Sequence, residues 1–564
     1  MECQRPAAMF ARIKRVGAYA YLQLVRTERC EGRPRQRVLA TLGRVEQLQS
    51  GGELDGLLRS LSQYSPQALA LVCGQSQPTT RTWKLGPALV FERLWQRVGL
   101  GEILNGLLAG RGFGFAVERA IFVTVLHRRC LSGSDRQAER WRCGYWLPGT
   151  EGLALHHWYR AMAWLGERLA GGSSGTQCLG PRCVKDQVEE ELFARRRDLF
   201  SALSVVFFDT TSLYFEGQGG ESLGRRGKSK DHRPDLRQMV VGVVLDQEGQ
   251  PLCSHLWPGN TADVKSLVPV VKDLQQRFGV ERICVVADRG MISAQTMRQL
   301  EELGWEYILG ARMRSQSEVR DQVVGSLAGV PEGFAVVHPE RACAKDPSPL
   351  AVKEVRVGNH RCVVCYNAEQ ARKDAHDRQA IVSGLRQALR GGDKRLVGNR
   401  GYRRYLQSAG HHFAVDEAKL QSEARYDGLW VLRTHTDLAS AAVALRYKEL
   451  WRVERLFRDA KSLLRTRPIY HRLDETIRGH VFCSFLALVL LRELDRCLEA
   501  AGVEAEWNDV LRDLKALQRM ELQEGDKQMW IRSQVQGCCA AVFRAVGLAL
   551  PPVLQLADPP PTHA

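Results

Sequence analysis

The sequence predicts an α/β protein: a mixed-sheet core, an insertion inside it, and a helical region ahead of it. Three observations carry that prediction. Two short β-branched and aromatic runs, 205–208 and 283–287, each lead into an aspartate, Asp209 and Asp288, as interior strands do where they reach the edge of a core. The elements between and around them follow a β-β-β-α-β order. Residues 439–464 are rich in Ala, Leu, Arg, Glu and Lys and lack Pro and Gly, which predicts one long helix, with Glu454 on it.

The elements follow in order. Residues 18–25 and 36–42 read as the strands of a basic hairpin, and 54–64 as a helix after Gly51-Gly52. A polar linker follows over 74–82, then a helical bundle over about 87–202, broken by a flexible Gly-Ser loop at 171–175. Such a bundle either holds a helix-turn-helix for DNA or is structural. After Asp209 a second strand is expected over 211–215, then a loop, 217–233, containing Arg225-Arg226-Gly227-Lys228-Ser229-Lys230. Lysines and arginines among glycines suit close approach to phosphates, and equally suit a solvated loop. Residues 239–245 and 252–257 pair around a turn at 246–251, and 266–278 is an amphipathic helix. Between Asp288 and Glu454 the chain alternates like strands, as in 352–357, and has a basic helical stretch over 368–390. This gives the divisions 1–80, 81–202, 203–312, 313–432, 433–505 and 506–564, the last a helical region whose Pro-rich end, from about 551, reads as disordered.

Bulk properties narrow the function. The chain has 564 residues, a net charge of +17 and 44% apolar residues. That is ample for real cores, and the charge favours an acidic partner such as nucleic acid. The 16 cysteines are scattered and read as small buried hydrophobes of a reducing compartment rather than a disulfide framework. Cys362 and Cys365 lie three apart in a strand, on opposite faces, so zinc is not expected. The first 15 residues lack the apolar core of a secretory signal, and the longest apolar stretch, 481–491, is too short to span a bilayer. A cytoplasmic, nucleoid-associated protein with no membrane partner is expected.

Asp209, Asp288 and Glu454 could together form a hard, oxygen-lined site of the kind Mg²⁺ or Mn²⁺ prefers. Each aspartate alone also fits a turn or helix N-cap, and Glu454 alone fits a surface pair with Arg458. Tyr447, Glu454 and Lys461 recur every seven residues, which puts them on one slowly drifting helical stripe. Tyr426 and Trp430 fit either core packing or stacking on an unpaired base.

These residues resemble the transposases of the IS4 superfamily, and most closely its IS1634 branch. Tyr447, Glu454 and Lys461 match the motif Tyr-x2-Arg-x3-Glu-x6-Lys, although its arginine position is Leu450 here. The blocks 229–236, 258–263, 288–293, 450–458 and 467–471 are also similar to that branch and come in the same order. The resemblance implies an RNase H-like mixed-sheet catalytic core with a mostly β insertion domain that contacts DNA ends. It implies a DDE triad of Asp209, Asp288 and Glu454 as metal ligands, metal-dependent cleavage at element ends, strand transfer into target DNA, and a homodimer that synapses two ends. Tyr447, Lys461, Arg458, Lys228 and Lys230 are the expected DNA contacts. Arg446, Arg455 or Arg458 could take the arginine's part, Arg458 being one turn from Glu454. A catalytically inactive DNA-binding repressor and a non-mobile structure-specific nuclease are the alternatives.

Overall fold

The structure is a computed structural model that describes residues 9–30, 33–62, 79–130, 134–170, 180–196, 203–280, 283–327, 330–338, 349–390, 404–409, 412–462, 466–524 and 527–556. The Gly-Ser loop at 171–175 and the end of the chain from 557 lie outside them. Two compact units are present, one of 1–88, 143–146 and 505–564, the other of 89–142 and 147–504.

The first unit holds two antiparallel sheets. Strands β1 (Met9–Val16), β2 (Tyr19–Cys30) and β3 (Arg33–Arg44) form one, in that order, so the basic hairpin has an extra strand at its start. Strand β4 (Thr79–Lys84) occupies part of the expected linker. Its partners come from the C-terminal segment read as helical: in place of helix alone, that segment has a helix, Trp507–Ala516, and then a hairpin whose first strand pairs with β4. The first strand, Arg-Met-Glu-Leu-Gln, alternates polar and apolar, and the second contains Trp and Ile, which favour strands. Leu554–Leu556 adds a further strand just beyond the Pro-Pro expected to open a disordered tail.

The second unit is built on one large mixed sheet. Its first five strands are β5 (Val205–Tyr214), β6 (Gln238–Asp246), β7 (Pro251–Pro258), β8 (Cys284–Ala287) and β9 (Glu306–Gly310). They lie in the spatial order β7-β6-β5-β8-β9, with β5, β8 and β9 parallel and β6 antiparallel to β5. That order and those directions are the RNase H-like core. Strands β10 (Ala335–Val337), β11 (Leu350–Val357), β12 (His360–Tyr366) and, after the small hairpin β13 (Leu406–Ala409) and β14 (His412–Val415), β15 (Leu429–Thr434) come from the insertion. They extend the same sheet, because β15 pairs antiparallel with β9.

Burial explains the sheet's rigidity. Strands β6 and β8 are buried along nearly their whole length, as strands covered on both faces must be. Val206, Phe208, Val285 and Ala287 pack with the helices Leu267–Phe278 and Ala294–Glu302 on one face. The helices Trp451–Ser462 and Asp474–Ala500 pack onto β5, β6 and β7. The latter contains the apolar stretch 481–491 and is largely buried. No helix among the described residues is long and apolar enough to cross a membrane.

Candidate active site

Asp209 does not end its strand. β5 runs on to Tyr214, so 205–208 and 211–215 are one strand and not two. Thr210, at the expected break, is buried, as are Thr211 and Ser212. Ser212 Oγ accepts from the Lys230 backbone N–H at 2.8 Å, and Thr210 Oγ1 accepts from Lys230 Nζ at 2.8 Å. What ends at this point is the pairing on one side: β5 and β8 run in parallel register as far as Phe208 with Ala287. Asp209 and Asp288 are the next residues along the two strands, one past that last pair.

Alternation fixes which way they point. Val206 and Phe208, with Val285 and Ala287, face the first pair of helices, so Asp209 and Asp288 project from the opposite face. That face carries the helix Trp451–Ser462, on which Glu454 is exposed. Glu454 and Asp288 line one cavity of about 550 Å³, together with Tyr447, Arg289 and insertion residues including Tyr426 and Trp430. The sheet register brings Asp209 beside Asp288, and the helix brings Glu454 to the cavity that Asp288 lines; Asp209 is not among the residues lining that cavity.

The expected single helix is two, Ser440–Lys448 and Trp451–Ser462. At the junction Leu450 N–H bonds to Tyr447 O and Val453 N–H to Leu450 O, tightened i to i+3 contacts that interrupt the α pattern. Leu450 and Val453 are buried there. The residue in the motif's arginine position therefore points into the core, where no contact with DNA is available to it.

Electrostatics concentrate at the strand ends. The Asp209 carboxyl is pushed up to about 6: burial raises it most, Lys230 and the Thr210 N–H pull it back, and the charges of Asp288 and Asp263 add to the rise. Its Oδ1 accepts the Thr210 backbone N–H, at 2.7 Å. The Tyr447 hydroxyl donates to Asp288 Oδ1 at 3.3 Å, and burial, then Asp288, raise the Tyr447 phenol above its usual range. Oxygen donors crowded in this way suit a hard divalent cation, which would offset their mutual repulsion.

The expected DNA contacts occupy varied positions. Lys230 Nζ donates to Thr210 O and faces Asp263 Oδ2 at 3.3 Å. Lys461 Nζ bonds Asp231 Oδ1 at 2.8 Å, and Arg467 holds the same oxygen at 2.6 Å. Lys228 and Arg458 are exposed. Tyr426 is a core residue, with Arg314 and Arg425 against its ring, whereas Trp430 is half-buried at the cavity. Asp231, Asp263 and Arg467 were missed as site residues, although each lies in a motif block noted in the sequence. A further group, Asp135, His471 and His480, of which only His471 lies in a block noted in the sequence, gathers within 4.8 Å. Arg128 donates to this group, from 2.9 Å to His480 Nδ1, which makes it a hydrogen-bonded post for the segment after the Glu454 helix.

The fold and this site define a DDE-type enzyme. Residues 201–490 match the family model described as transposase DDE domain, and residues 11–75 match that of the IS1634 family transposase N-terminal domain. The chain belongs to the DDE transposases, of the IS1634 type: it is an insertion-sequence transposase, which acts on DNA and depends on a divalent metal. No curated protein matches it. Among solved structures, a piggyBac transposase synaptic complex with hairpin DNA aligns over 76% of this chain and 79% of that one, at 10% identity and a TM-score of 0.39.

Proposed function

We propose that Asp209, Asp288 and Glu454 are the catalytic carboxylates and hold Mg²⁺, or Mn²⁺ in its place. The observation that carries this reading is the placement of Asp209 and Asp288 one residue past the last β5–β8 pair, with Glu454 lining the same cavity as Asp288. The bound ions would supply an activated nucleophile and a stabilised leaving oxygen for displacement at phosphorus. The residues themselves gather and orient. Tyr447 fixes the Asp288 carboxylate through its hydroxyl. Lys461, Lys228, Lys230 and Arg458 steer the DNA backbone, as point charges or forks for phosphate. End cleavage and strand transfer use the same site in turn. A homodimer synapses two ends, in the cytoplasm at the nucleoid.

The test is cleavage of DNA carrying the native element ends. Asp209→Asn, Asp288→Asn and Glu454→Gln should each lose cleavage while still shifting the DNA in a gel. An active Glu454→Gln enzyme would assign the third acid elsewhere.

A further inference from the structure

Asp263 opens a short turn, Asp263–Lys265, after the block Pro-Gly-Asn-Thr-Ala. Its two carboxylate oxygens have different partners. Oδ1 accepts from Thr210 Oγ1 at 2.7 Å, and Oδ2 faces Lys230 Nζ at 3.3 Å. Lys230 in turn donates to the carbonyl and hydroxyl oxygens of Thr210, at 2.7 and 2.8 Å. Asp263 also reaches the other strand end: a Cβ on Gly290 would stand 3.5 Å from Oδ2. Asp263, Lys230 and Thr210 thus form a closed clasp one residue from Asp209 and two from Asp288.

The clasp resolves a conflict of charge. Lys230 is the leading cation acting on Asp209. An ammonium free to move onto that carboxylate would compete with a divalent ion for the same oxygens and repel it. In the structure Asp209 Oδ1 accepts the Thr210 backbone N–H, while Lys230 Nζ is bonded to Thr210 and faces Asp263. We infer that Asp263 is a positioning residue that neutralises Lys230 and turns it onto Thr210, leaving Asp209 open to the divalent ion. Resting on the proposed roles of Asp209 and Asp288, this assigns a fourth carboxylate to the site without making it a metal ligand.

The test is Mn²⁺ binding to the full-length protein, read from the electron paramagnetic resonance signal of free Mn²⁺, with thermal melting beside it. Asp263→Asn should weaken binding about tenfold, the lower range for loss of a supporting partner. Lys230→Met with Asp263→Asn should recover most of that loss, because the pair is removed with no net change in charge. Unchanged binding in Asp263→Asn would overturn the inference. So would a double variant that binds as weakly as the single one, since Asp263 would then be a ligand itself. Asp209→Asn separates the two levels. If it binds Mn²⁺ like wild type, the reading of the site fails and takes the clasp with it. If it loses Mn²⁺ while Asp263→Asn does not, the clasp alone fails.

Discussion

The two halves of the site are built differently. Asp209 lies within β5, paired with Val243 of β6, and Asp288 is the first residue after β8, which is bonded to β5 on one side and β9 on the other. Glu454 stands on a helix exposed at that residue, held by Val453, Leu456 and Phe457 beneath it and joined to the preceding helix by the tightened turn at Leu450. Ladder hydrogen bonds on both flanks hold the strand ends more firmly than side-chain packing of one face holds a helix. The strand half is held by backbone pairing, and the helix half by side-chain packing.

The comparison is most directly broken by changing side-chain length. Asp209→Glu should lose cleavage by on the order of a thousandfold, as much as Asp209→Asn, because the strand cannot retreat to admit another methylene. Glu454→Asp should lose only about tenfold, as the helix follows the shorter arm. Equal losses in a single-turnover cleavage assay would mean that both halves are equally rigid.

A second test acts on the junction between the halves. Gly310 ends β9, and a Cβ there would stand 2.5 Å from the Tyr447 hydroxyl and 3.0 Å from the Arg289 backbone nitrogen. Gly310→Ala should displace Tyr447 from Asp288 and reduce cleavage roughly tenfold, within the range for a disturbed supporting hydrogen bond. Adding Tyr447→Phe removes the hydroxyl and should recover part of the lost melting temperature. No recovery would place the strain at Arg289 instead.

The smallest effect concerns stability. The folded Asp209 carboxyl lies at about 6, above its ordinary 3.8. A raised carboxyl contributes stability that is full below the unfolded value and lost as pH rises through the folded one. The metal-free protein should therefore weaken between about pH 4 and 6, by at most about 3 kcal/mol from this group. Asp209→Asn should melt a few degrees higher than wild type at pH 7.5 in chelator, and no higher at pH 4. The same increment at both pH values would show that the strand end carries no buried charge.

Both halves were legible in the sequence to different depths. Strands buried on two faces are written as apolar runs, so 205–208 and 283–287 were clear, as were the acids beside them. The continuity of β5 through Asp209 and Thr210 was hidden because Thr210 is a buried polar residue whose partner, Lys230, lies twenty residues away. The break at Leu450 was hidden for the opposite reason. Its local sequence favours helix throughout, and only tertiary burial of Leu450 and Val453 reveals the tightened turn. The roles of Asp231 and Asp263 depend on a lysine from a distant element, which no spacing rule encodes.

Asp231 is 4% exposed and shares one oxygen between Lys461 and Arg467. That sharing bears on how DNA binding responds to salt. If Lys461 leaves for a phosphate, Arg467 stays, and the carboxylate needs no ion from solution. Lys461 then contributes its full release of one condensed counterion from the DNA, close to one unit in the slope of log affinity against log salt. In Arg467→Ala the same transfer would strip Asp231 bare, and an ion taken up there would cancel the one released. Arg467→Ala and Lys461→Ala should flatten the salt dependence alike, by about one unit, although only the lysine moves to the DNA. Arg467 would act as a standing reserve of charge that lets its neighbour change partners at little cost.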